Sequence, residues 1–422
     1  MNHLRPAHLG FVLLLLSAGC EPAAPSDTAI RTDSAGVLLV EYPDLPPIEA
    51  SRISIAAEPD LVLGGGDALA GPDHEFFRIA GVSQLGDGTL VVANGSSREL
   101  RFYGEDGRHL RSVGREGGGP GEFQNLAGVW TMAGDTVIVW DGSARRLQYF
   151  SPEGALVRAA SMGEAPFGGF LRPVPQAVLE DGRVAAFLSS PWRPTSGVPQ
   201  RQSLLVAVQR IDGEGWDSVG VVQGNESIIS PTGNGQLAGV LHTFGAYAVM
   251  AGAGTTMAVA DAARFRVELF DPDGRLVSVI SAAVPGVAAT ADVLEAHIER
   301  MIELWPGGMP HPEFPEAIRT GMRARPYAPF LPAIRALFVD GDERIWVERF
   351  DVPGSGPSRW EVFARNGTWL GRVDMPEGFA RAVSAGFAPG FSIASGRLTG
   401  VWTDPDTGVE TVRVYRVIEL DS

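Results

Sequence analysis

The stretch EFFRIAGVSQLGDGTLVVAN, residues 75–94, returns 47 positions later as EFQNLAGVWTMAGDTVIVWD, residues 122–141, with no gap. Twice this offset carries residues 85–88 onto residues 179–182, where a third copy begins. Self-similarity at a fixed period is the sequence signature of a repeat architecture. The chain is therefore predicted to repeat one structural unit.

Each copy consists of short apolar runs that often alternate and are broken by Asp-Gly or Asn-Gly pairs, which is typical of strands and tight hairpins. In the second copy the expected strands are residues 126–132, 136–141, 146–151 and 155–161. Four such strands make an antiparallel unit with two apolar faces, which it cannot bury alone. Copies stacked around a closed ring bury both faces, so the predicted fold is all-β, a β-propeller of four-stranded antiparallel blades.

The number of blades follows from the third strand of each unit, where an aromatic residue precedes a turn glycine. This signature occurs, in one case weakly, as FYGEDG (102–107), FSPEG (150–154), VQRIDGEG (208–215), FDPDG (270–274) and FARNG (363–367). The C-terminal run TVRVYRVIEL is the third strand of a sixth unit, and no fourth strand follows it in the chain. The N-terminal part is expected to supply that strand, from residues 37–42 or from residues 53–63.

Six blades are therefore predicted, closed by one blade that both chain ends share. A seventh blade would have to lie within residues 282–332, and that region has a helical pattern instead. We expect it to be a short helical insertion between blades 4 and 5.

The glycine-rich run GREGGGPGEFQNL, residues 114–126, has two interpretations. Backbone N–H groups of such runs can bind phosphate, but a P-loop needs a lysine, and this chain contains none. Because the run lies between the first two copies, it is predicted to be a linker between blades.

The pattern GPGEF, then DGTLVVA, then ELRF resembles the six-bladed propellers of the NHL-repeat and TolB-like group of exported bacterial proteins. The resemblance extends from about residue 61 to residue 420 and is sharpest in the first two copies. It implies the fold and says little about function, since propellers serve as enzymes, scaffolds and receptors.

The N terminus predicts export. The apolar run of residues 9–16 is too short to span a bilayer, which needs about 20 residues, and suits a signal peptide over residues 1–19. It leads into LSAGC, which resembles a bacterial lipoprotein signal with Cys20 as the lipid attachment site. Cleavage without lipidation, giving a secreted protein, is the alternative. Residues 20–35 are expected to form a tether, and residues 36–422 a single propeller domain in the cell envelope.

Charge limits the partners. The net charge is −16 and no basic cluster stands out, so nucleic-acid binding is not expected, because phosphate contact needs a positive surface. The histidines are scattered without zinc-ligand spacing, and there is no G-x-S-x-G nucleophile elbow. No metal, cofactor or catalytic residue is predicted. The aspartate–arginine spacings 141/146 and 261/266 are interpreted as repeated pairs that stabilise blades.

The long connections fall on one side of the predicted disc. Short a–b and c–d turns lie on one face, whereas the b–c and d–a connections, including residues 189–201, 223–239 and 282–332, lie on the other. We expect the binding site on this second face, over blades 3 to 5, because loops on a rigid scaffold usually carry function. Trp192 and Trp305 are the predicted ligand contacts.

The insertion is expected to form one helix that begins after Thr290, ends before Pro306 and covers the channel mouth. Docking a partner is the alternative role for this helix.

Two functions are consistent with this pattern. The first, favoured here, is a membrane-tethered, non-catalytic binding or scaffold propeller that recognises a peptide, a glycan or a protein. The alternative is a metal-dependent propeller hydrolase or lyase similar to sugar lactonases, with its metal in the central channel.

Overall fold

The computed structural model describes most of the chain beyond the first 27 residues. The described ranges are residues 28–65, 71–132, 134–162, 173–190, 192–210, 215–231, 236–303, 311, 313–352, 354, 356–380, 390–404 and 407–420. The predicted signal peptide, Cys20, Pro306 and Trp305 lie outside them.

Strands dominate the described residues, and two α-helices interrupt them. Before the first repeat come β1 (Ile30–Ser34), β2 (Val37–Tyr42), β3 (Ile53–Ile55) and β4 (Leu61–Leu63). The first two repeats contain β5 (Ile79–Gln84), β6 (Leu90–Asn94), β7 (Glu99–Tyr103), β8 (His109–Val113), β9 (Leu126–Met132), β10 (Thr136–Asp141), β11 (Arg146–Phe150) and β12 (Leu156–Ser161).

The second half of the chain continues in the same way. Its elements begin with β13 (Ala177–Val178), β14 (Val184–Leu188), β15 (Gln200–Gln209), β16 (Trp216–Pro231), β17 (Leu237–Leu241), β18 (Ala248–Ala253), β19 (Thr256–Asp261), β20 (Arg266–Phe270) and β21 (Leu276–Ala282). The last elements are α1 (Ala291–Glu303), α2 (Phe314–Arg323), β22 (Ile334–Val339), β23 (Ile345–Arg349), β24 (Arg359–Phe363), β25 (Trp369–Asp374), β26 (Phe379–Ala380), β27 (Phe391–Ala394), β28 (Arg397–Thr403) and β29 (Glu410–Glu419).

These strands form six sheets, which we call blades 1 to 6. Blade 1 is β5–β8, blade 2 is β9–β12 and blade 3 is β13–β17. Blade 4 is β18–β21 with β2 and β1 added at its outer edge, and blade 5 is β22–β25. Blade 6 combines β26–β29 with β3 and β4. Each blade packs against the next, and blade 6 contacts β5 of blade 1, so the ring is closed.

The core consists of one apolar cluster in each contact between neighbouring blades. Phe102, Phe123 and Phe150 fill the contact between blades 1 and 2, and Trp346 and Trp360 lie between blades 5 and 6. The other clusters join blades 2 and 3, 3 and 4, 4 and 5, and 6 and 1. Because each sheet buries both faces in this way, the predicted fold class is confirmed, with two helices inserted between blades 4 and 5.

Blade 6 is completed by residues from the N-terminal part of the chain. The last strand, β29, pairs with β4 through Val412 and Leu63 and with β3 through Val417 and Ile55. The second of the two expected segments, residues 53–63, therefore closes the ring. Residues 37–42 instead pair in parallel with β21 at the edge of blade 4.

The strand β1 lies within the stretch expected to be a tether. Ile30–Ser34 pairs with β2 in a regular antiparallel register, from Ile30 opposite Glu41 to Ser34 opposite Val37. These five residues are thus part of the blade 4 sheet, although their side chains are exposed.

The glycine-rich run joins blade 1 to blade 2, as predicted. Gly114 has φ of 93°, and a Cβ added to it would overlap the buried Phe123 ring. Arg146 donates from Nη2 to the carbonyls of Gly119 and Glu122, both at 2.7 Å. Hydrogen bonds from blade 2 therefore hold the linker in place.

The expected pairing of Asp141 with Arg146 is wrong. Asp141 is fully buried at the end of β10, and its carboxylate accepts the backbone N–H groups of Gln124, Asn125 and Ala144 at 2.8 to 3.0 Å. Arg146 binds the linker carbonyls instead. A buried carboxylate needs donors, and the backbone supplies two of them from the connection before β9 and one from the turn after β10.

Candidate functional site

One face of the ring carries the long connections, as the sequence predicted. The b–c turns and d–a connections meet on this side, which we call the loop face. The connection between β14 and β15 and the helical insertion between β21 and β22 both lie here. On the opposite face the turns are short, such as the two residues that join β18 to β19.

Blade 3 departs from the regular four-stranded pattern on the loop face. Residues 223–239 were expected to be a loop, and this is wrong. The strand β16 runs through to Pro231, beyond the start of β15, and its last residues pair with the fifth strand β17 from Ser227 opposite Leu241 to Pro231 opposite Leu237. The first residues of β15 (200–204), the last residues of β16 (222–231) and the strand β17 form a sheet extension that we call the ribbon.

Residue alternation explains why the ribbon forms. Successive side chains of a strand point to opposite faces, and in β16 the buried Ile228 and Ser230 share one face while Ser227 and Ile229 share the other. The two apolar stretches ESIIS and LAGVL, separated by Pro-Thr-Gly-Asn-Gly-Gln, are the hairpin signal that could have predicted β17.

A groove of about 680 Å³ lies between the ribbon and the segment that follows β14. Its lining residues are Ser189, Trp192, Arg193, Pro194, Gln202, Leu204, Asn225, Ser227, Ile229, Leu237, Ala238, Gly239, Val240 and Leu241. The sequence-predicted Trp192 is therefore in this groove. Its partners from β15, β16 and β17 were not predicted.

The segment Trp192–Pro194 lies over the ribbon and is fixed there by close contacts. Pro194 packs on Gly239, where an added Cβ would lie 3.0 Å from the proline ring. Just after it, the carbonyl of Ser196 accepts the backbone N–H of Ile229 at 2.8 Å. These contacts keep Trp192 at the groove although it belongs to a connection rather than to a strand.

The polar side chains of the groove have no partners within the described part of the chain. Gln202 and Asn225 make no side-chain hydrogen bond there, and Arg193, which is exposed, forms no ion pair with a described residue. Ser189 and Ser227, both nearly buried, likewise have no side-chain partner. Amides, hydroxyls and one guanidinium are thus available to a ligand.

The groove also borders a strand edge that pairs with no described residue. The N–H of His242 donates to the carbonyl of Glu226 at 2.9 Å, while the N–H of Ile229 points the other way, toward Ser196. Alternation along an antiparallel pair then directs the backbone groups of Leu237, Gly239 and Leu241 away from β16. The strand β17 is the last strand of its sheet, so these groups lie at its outer edge.

The other face of the ribbon is joined to blade 4. Arg201 donates from Nη1 to Asp261 at 2.8 Å and from Nη2 and Nε to the carbonyls of Gln223 and Gly224 at 2.6 and 2.7 Å. The expected pair of Asp261 with Arg266 is therefore wrong, because Arg266 binds Glu268 instead.

A buried histidine lies next to this connection. His242 contacts the Glu226 carboxylate through Nδ1 at 2.5 Å. The ion pair of Arg201 and this contact both lie on the face of the ribbon that is turned away from the groove, so they position the ribbon rather than line it.

The helical insertion packs over blades 4 and 5. Thr290 accepts the N–H of Val293 at 3.4 Å at the start of α1, as predicted. The apolar face of α1, with Leu294 and Ile298, packs against Phe244 and Phe350. Its role as a cover of the channel mouth stays a prediction, as does the role of Trp305.

A second helix, which the sequence did not predict separately, pairs with α1. Arg323 and Arg319 of α2 form two-point contacts with Glu295 and Glu299 at 2.6 to 2.8 Å. These hydrogen bonds hold the pKa of both glutamates below the usual value. Burial lowers the pKa of His297 on the inner side of α1. Glu295 and Glu299 therefore join the two helices.

A much smaller cavity of about 60 Å³ lies between blades 6 and 1, beside the short turns. Its charged side chains already have partners, because Arg397 binds Glu105 at 3.0 Å and Asp60 binds Arg416 at 3.1 Å. This cavity is therefore the weaker candidate.

Within the described ranges, no group of three or more His, Cys, Asp and Glu side chains is placed to hold a metal ion. In the same ranges, no helix has the length and hydrophobicity needed to cross a bilayer.

Comparison with known proteins gives only distant similarities. No family model matches the chain, and no curated protein is significantly similar to it. An exported protein from Bacteroides fragilis has a TM-score of 0.45 at 11% identity over 89% of this chain and 99% of its own. A member of the DUF4221 family from Bacteroides vulgatus has a TM-score of 0.47 at 9% identity over 87% and 99% of the two chains.

A gluconolactonase from Xanthomonas campestris has a TM-score of 0.39 at 14% identity, over 81% of this chain and 87% of its own. Similarities at this level do not transfer an activity, so function has to be argued from the groove itself.

Proposed function

We propose that this protein is a binding propeller of the bacterial cell envelope and that its ligand site is the groove of blade 3. The observation that carries the proposal is the set of partnerless polar side chains around Trp192, which includes Gln202 and Asn225. Buried polar side chains usually have hydrogen-bond partners within the protein, whereas the nearly buried Ser189 and Ser227 have none among the described residues. Here they are directed into a shared recess instead.

The dimensions and chemistry of the groove fit a ligand site. Its volume of about 680 Å³ lies within the range of about 300 to 1,000 Å³ that is common for such sites. Trp192 supplies an aromatic surface with an N–H donor, which favours a ligand with both apolar and polar parts. The apolar side chains of Leu204 and Ile229 form the floor.

The location of the protein is proposed from its N terminus. The apolar run of residues 9–16 followed by Cys20 predicts export and lipid attachment, and the resemblance to NHL-repeat and TolB-like propellers is consistent with an extracytoplasmic role. Growth with labelled palmitate should label the wild type and leave Cys20→Ser unlabelled. Equal labelling of both would contradict lipidation at this residue.

The binding role can be tested by thermal unfolding in the presence of ligand collections. A ligand that binds the folded state raises the unfolding temperature, so collections of peptides and of envelope oligosaccharides should contain members that stabilise the wild type. Trp192→Ala should lose this stabilisation. The matched control is Phe77→Ala, which removes an aromatic side chain that is also exposed but lies in the connection just before blade 1.

If no compound stabilises the wild type, or if Trp192→Ala responds as the wild type does, the groove is not the ligand site. The metal-dependent hydrolase or lyase stays a separate hypothesis. Stoichiometric, tightly bound calcium or zinc in the purified protein would support it over a purely binding role.

A further inference from the structure

We infer that the groove binds an extended peptide that carries a carboxylate and adds to the outer edge of β17 as a sixth strand of blade 3. This inference rests on the proposed function and names its ligand class. It uses the backbone edge of β17 as the main contact, with Arg193 and the groove floor as the side-chain contacts.

The outer edge of β17 has backbone hydrogen-bonding groups that can pair with a further strand. The groups of Leu237, Gly239 and Leu241 point away from β16, as the hydrogen bonds of the ribbon require. All five residues of β17 line the groove, including Ala238 and Val240, whose side chains belong to the opposite face. The groove thus follows the backbone of the strand. An extended peptide satisfies such an edge through alternate main-chain hydrogen bonds.

The side chains beside this edge suit alternate residues of an added strand. Leu237 is 71% exposed and Leu241 is 62% exposed, so two large apolar side chains lie uncovered on one face of this strand. A peptide strand next to β17 would place every second side chain on this face. Apolar residues at these positions would cover the leucines and reach toward Trp192.

The positive charge of Arg193 indicates which kind of peptide the groove would bind. Among the described residues, Arg193 is the only charged residue of the lining and has no ion-pair partner. The chain as a whole carries a net charge of −16. An unneutralised arginine in a site without carboxylates therefore attracts an acidic side chain or a peptide C terminus.

The side-chain amides of the groove, which have no partner among the described residues, also fit a peptide strand placed next to β17. Asn225 and Gln202 lie on the ribbon face that forms the groove floor and can each donate and accept hydrogen bonds. An extended peptide has main-chain groups on its second edge that need partners, and these amides are available for them. A saccharide would use Trp192 and the amides but would leave the edge of β17 unpaired.

The test uses a random nonapeptide library presented to the purified exported protein. Selected peptides should alternate apolar residues with polar ones and contain Asp or Glu, or a free C terminus, at a constant distance from the apolar positions. Soluble copies of one selected peptide are then N-methylated at alternate residues in two versions. Methylation removes the N–H donor, so the version methylated on the β17 side should bind at least about tenfold more weakly, while the other version keeps its affinity.

Charge reversal provides the matched variants. Arg193→Glu should weaken binding of the acidic peptide by about tenfold or more and favour its counterpart with Lys in place of the acidic residue. Arg210→Glu, at the far end of β15, reverses a comparably exposed arginine and should leave the affinity unchanged. Thermal unfolding of both variants checks that they are folded.

Different failures have different meanings. Equal loss from both N-methylated versions, or no effect of Arg193→Glu, overturns the strand addition. Stabilisation by envelope oligosaccharides but not by any peptide, lost in Trp192→Ala, overturns the peptide and leaves the proposed function standing. A concentration-dependent dimer that Leu237→Lys abolishes would assign the edge to a second copy of the chain and overturn the inference as well.

Discussion

Blades 1 and 2 contrast with blade 3. The first two blades repeat one sequence at a spacing of 47 residues, and each contains four strands of five to seven residues. Blade 3 keeps the order of the strands but has a first strand, β13, of only two residues, extends β16 to 16 residues and adds β17. Blade 3 also leaves several polar side chains, among them Gln202 and Asn225, open in a groove.

The contrast shows how a ring can carry a groove without losing its core. The apolar cluster between blades 1 and 2 consists of residues that are almost all fully buried. The ribbon grows from the ends of β15 and β16 and does not enter the blade contacts below, where Val206 and Val208 pack against blade 4. The residues that pack the core and the residues that line the proposed ligand groove therefore lie in different parts of the same sheet.

The largest expected difference between the two regions concerns the core. Phe123→Ala removes a fully buried ring between blades 1 and 2 and should lower the free energy of unfolding by about 3 to 5 kcal/mol. Leu237→Ala, in the exposed part of the ribbon, should change it by no more than about 0.5 kcal/mol. Urea unfolding measures both. Similar losses would mean that the ribbon belongs to the core.

The next comparison concerns the aspartate that ends the second strand of blade 2 and of blade 4. Asp141→Ala leaves three backbone N–H groups without their buried acceptor and should cost about 3 kcal/mol. Asp261→Ala, at the equivalent corner of blade 4, removes a partly exposed carboxylate that binds Arg201 and should cost about 1 kcal/mol or less. Equal losses of unfolding free energy for the two variants in urea would mean that Asp141 is no more important for stability than Asp261, which would contradict this comparison.

A smaller effect should be confined to the ribbon. Arg201→Met removes the contacts to Asp261, Gln223 and Gly224 and should increase hydrogen exchange in β17 and the outer half of β16 by about tenfold, because local opening becomes easier. Global unfolding should change by less than about 1 kcal/mol. Arg210→Met is the control variant. If Arg201→Met made hydrogen exchange uniformly faster throughout blade 4, this would contradict a role of Arg201 that is confined to the ribbon.

The smallest effect is a pH dependence in the linker between blades 1 and 2. Glu122 accepts the N–H of Gly119 at 2.8 Å and binds Arg115 at 2.7 Å, and these contacts lower the pKa of its carboxyl. The stabilisation is complete above the ordinary glutamate pKa of about 4.3 and is lost as the pH falls through the lowered value. Glu122→Gln should therefore be less stable than the wild type at pH 7 and equally stable in strong acid. A difference that is the same at every pH would contradict this.

The regular part of the fold was predicted well because its signals are local. The strands β9 and β10 begin and end where the sequence placed them, since apolar alternation and turn residues act within a few positions. Thr290 capped its helix for the same reason. The position of Trp192 on the loop face followed from strand order alone.

The partners of Trp192 could not be obtained in this way. Asn225 and Leu237 reach the groove only because β16 continues past its blade and turns back, and a segment with Gly, Pro and Asn was interpreted as a loop. The aspartate pairs failed for a related reason. Spacing along the chain placed Arg146 opposite Asp141, but the burial of the carboxylate selected backbone donors from the preceding connection.

The sequence by itself determined the repeated sheet, its closure into a ring and the face that carries the long connections, because alternation, turns and period are properties of short segments. Only the tertiary structure decided that residues 53–63 rather than 37–42 complete blade 6, that Arg201 joins Asp261, and that a groove opens beside Trp192. These features depend on contacts between residues far apart in the chain, whose free energies are set by burial and hydrogen bonding after the blades have packed.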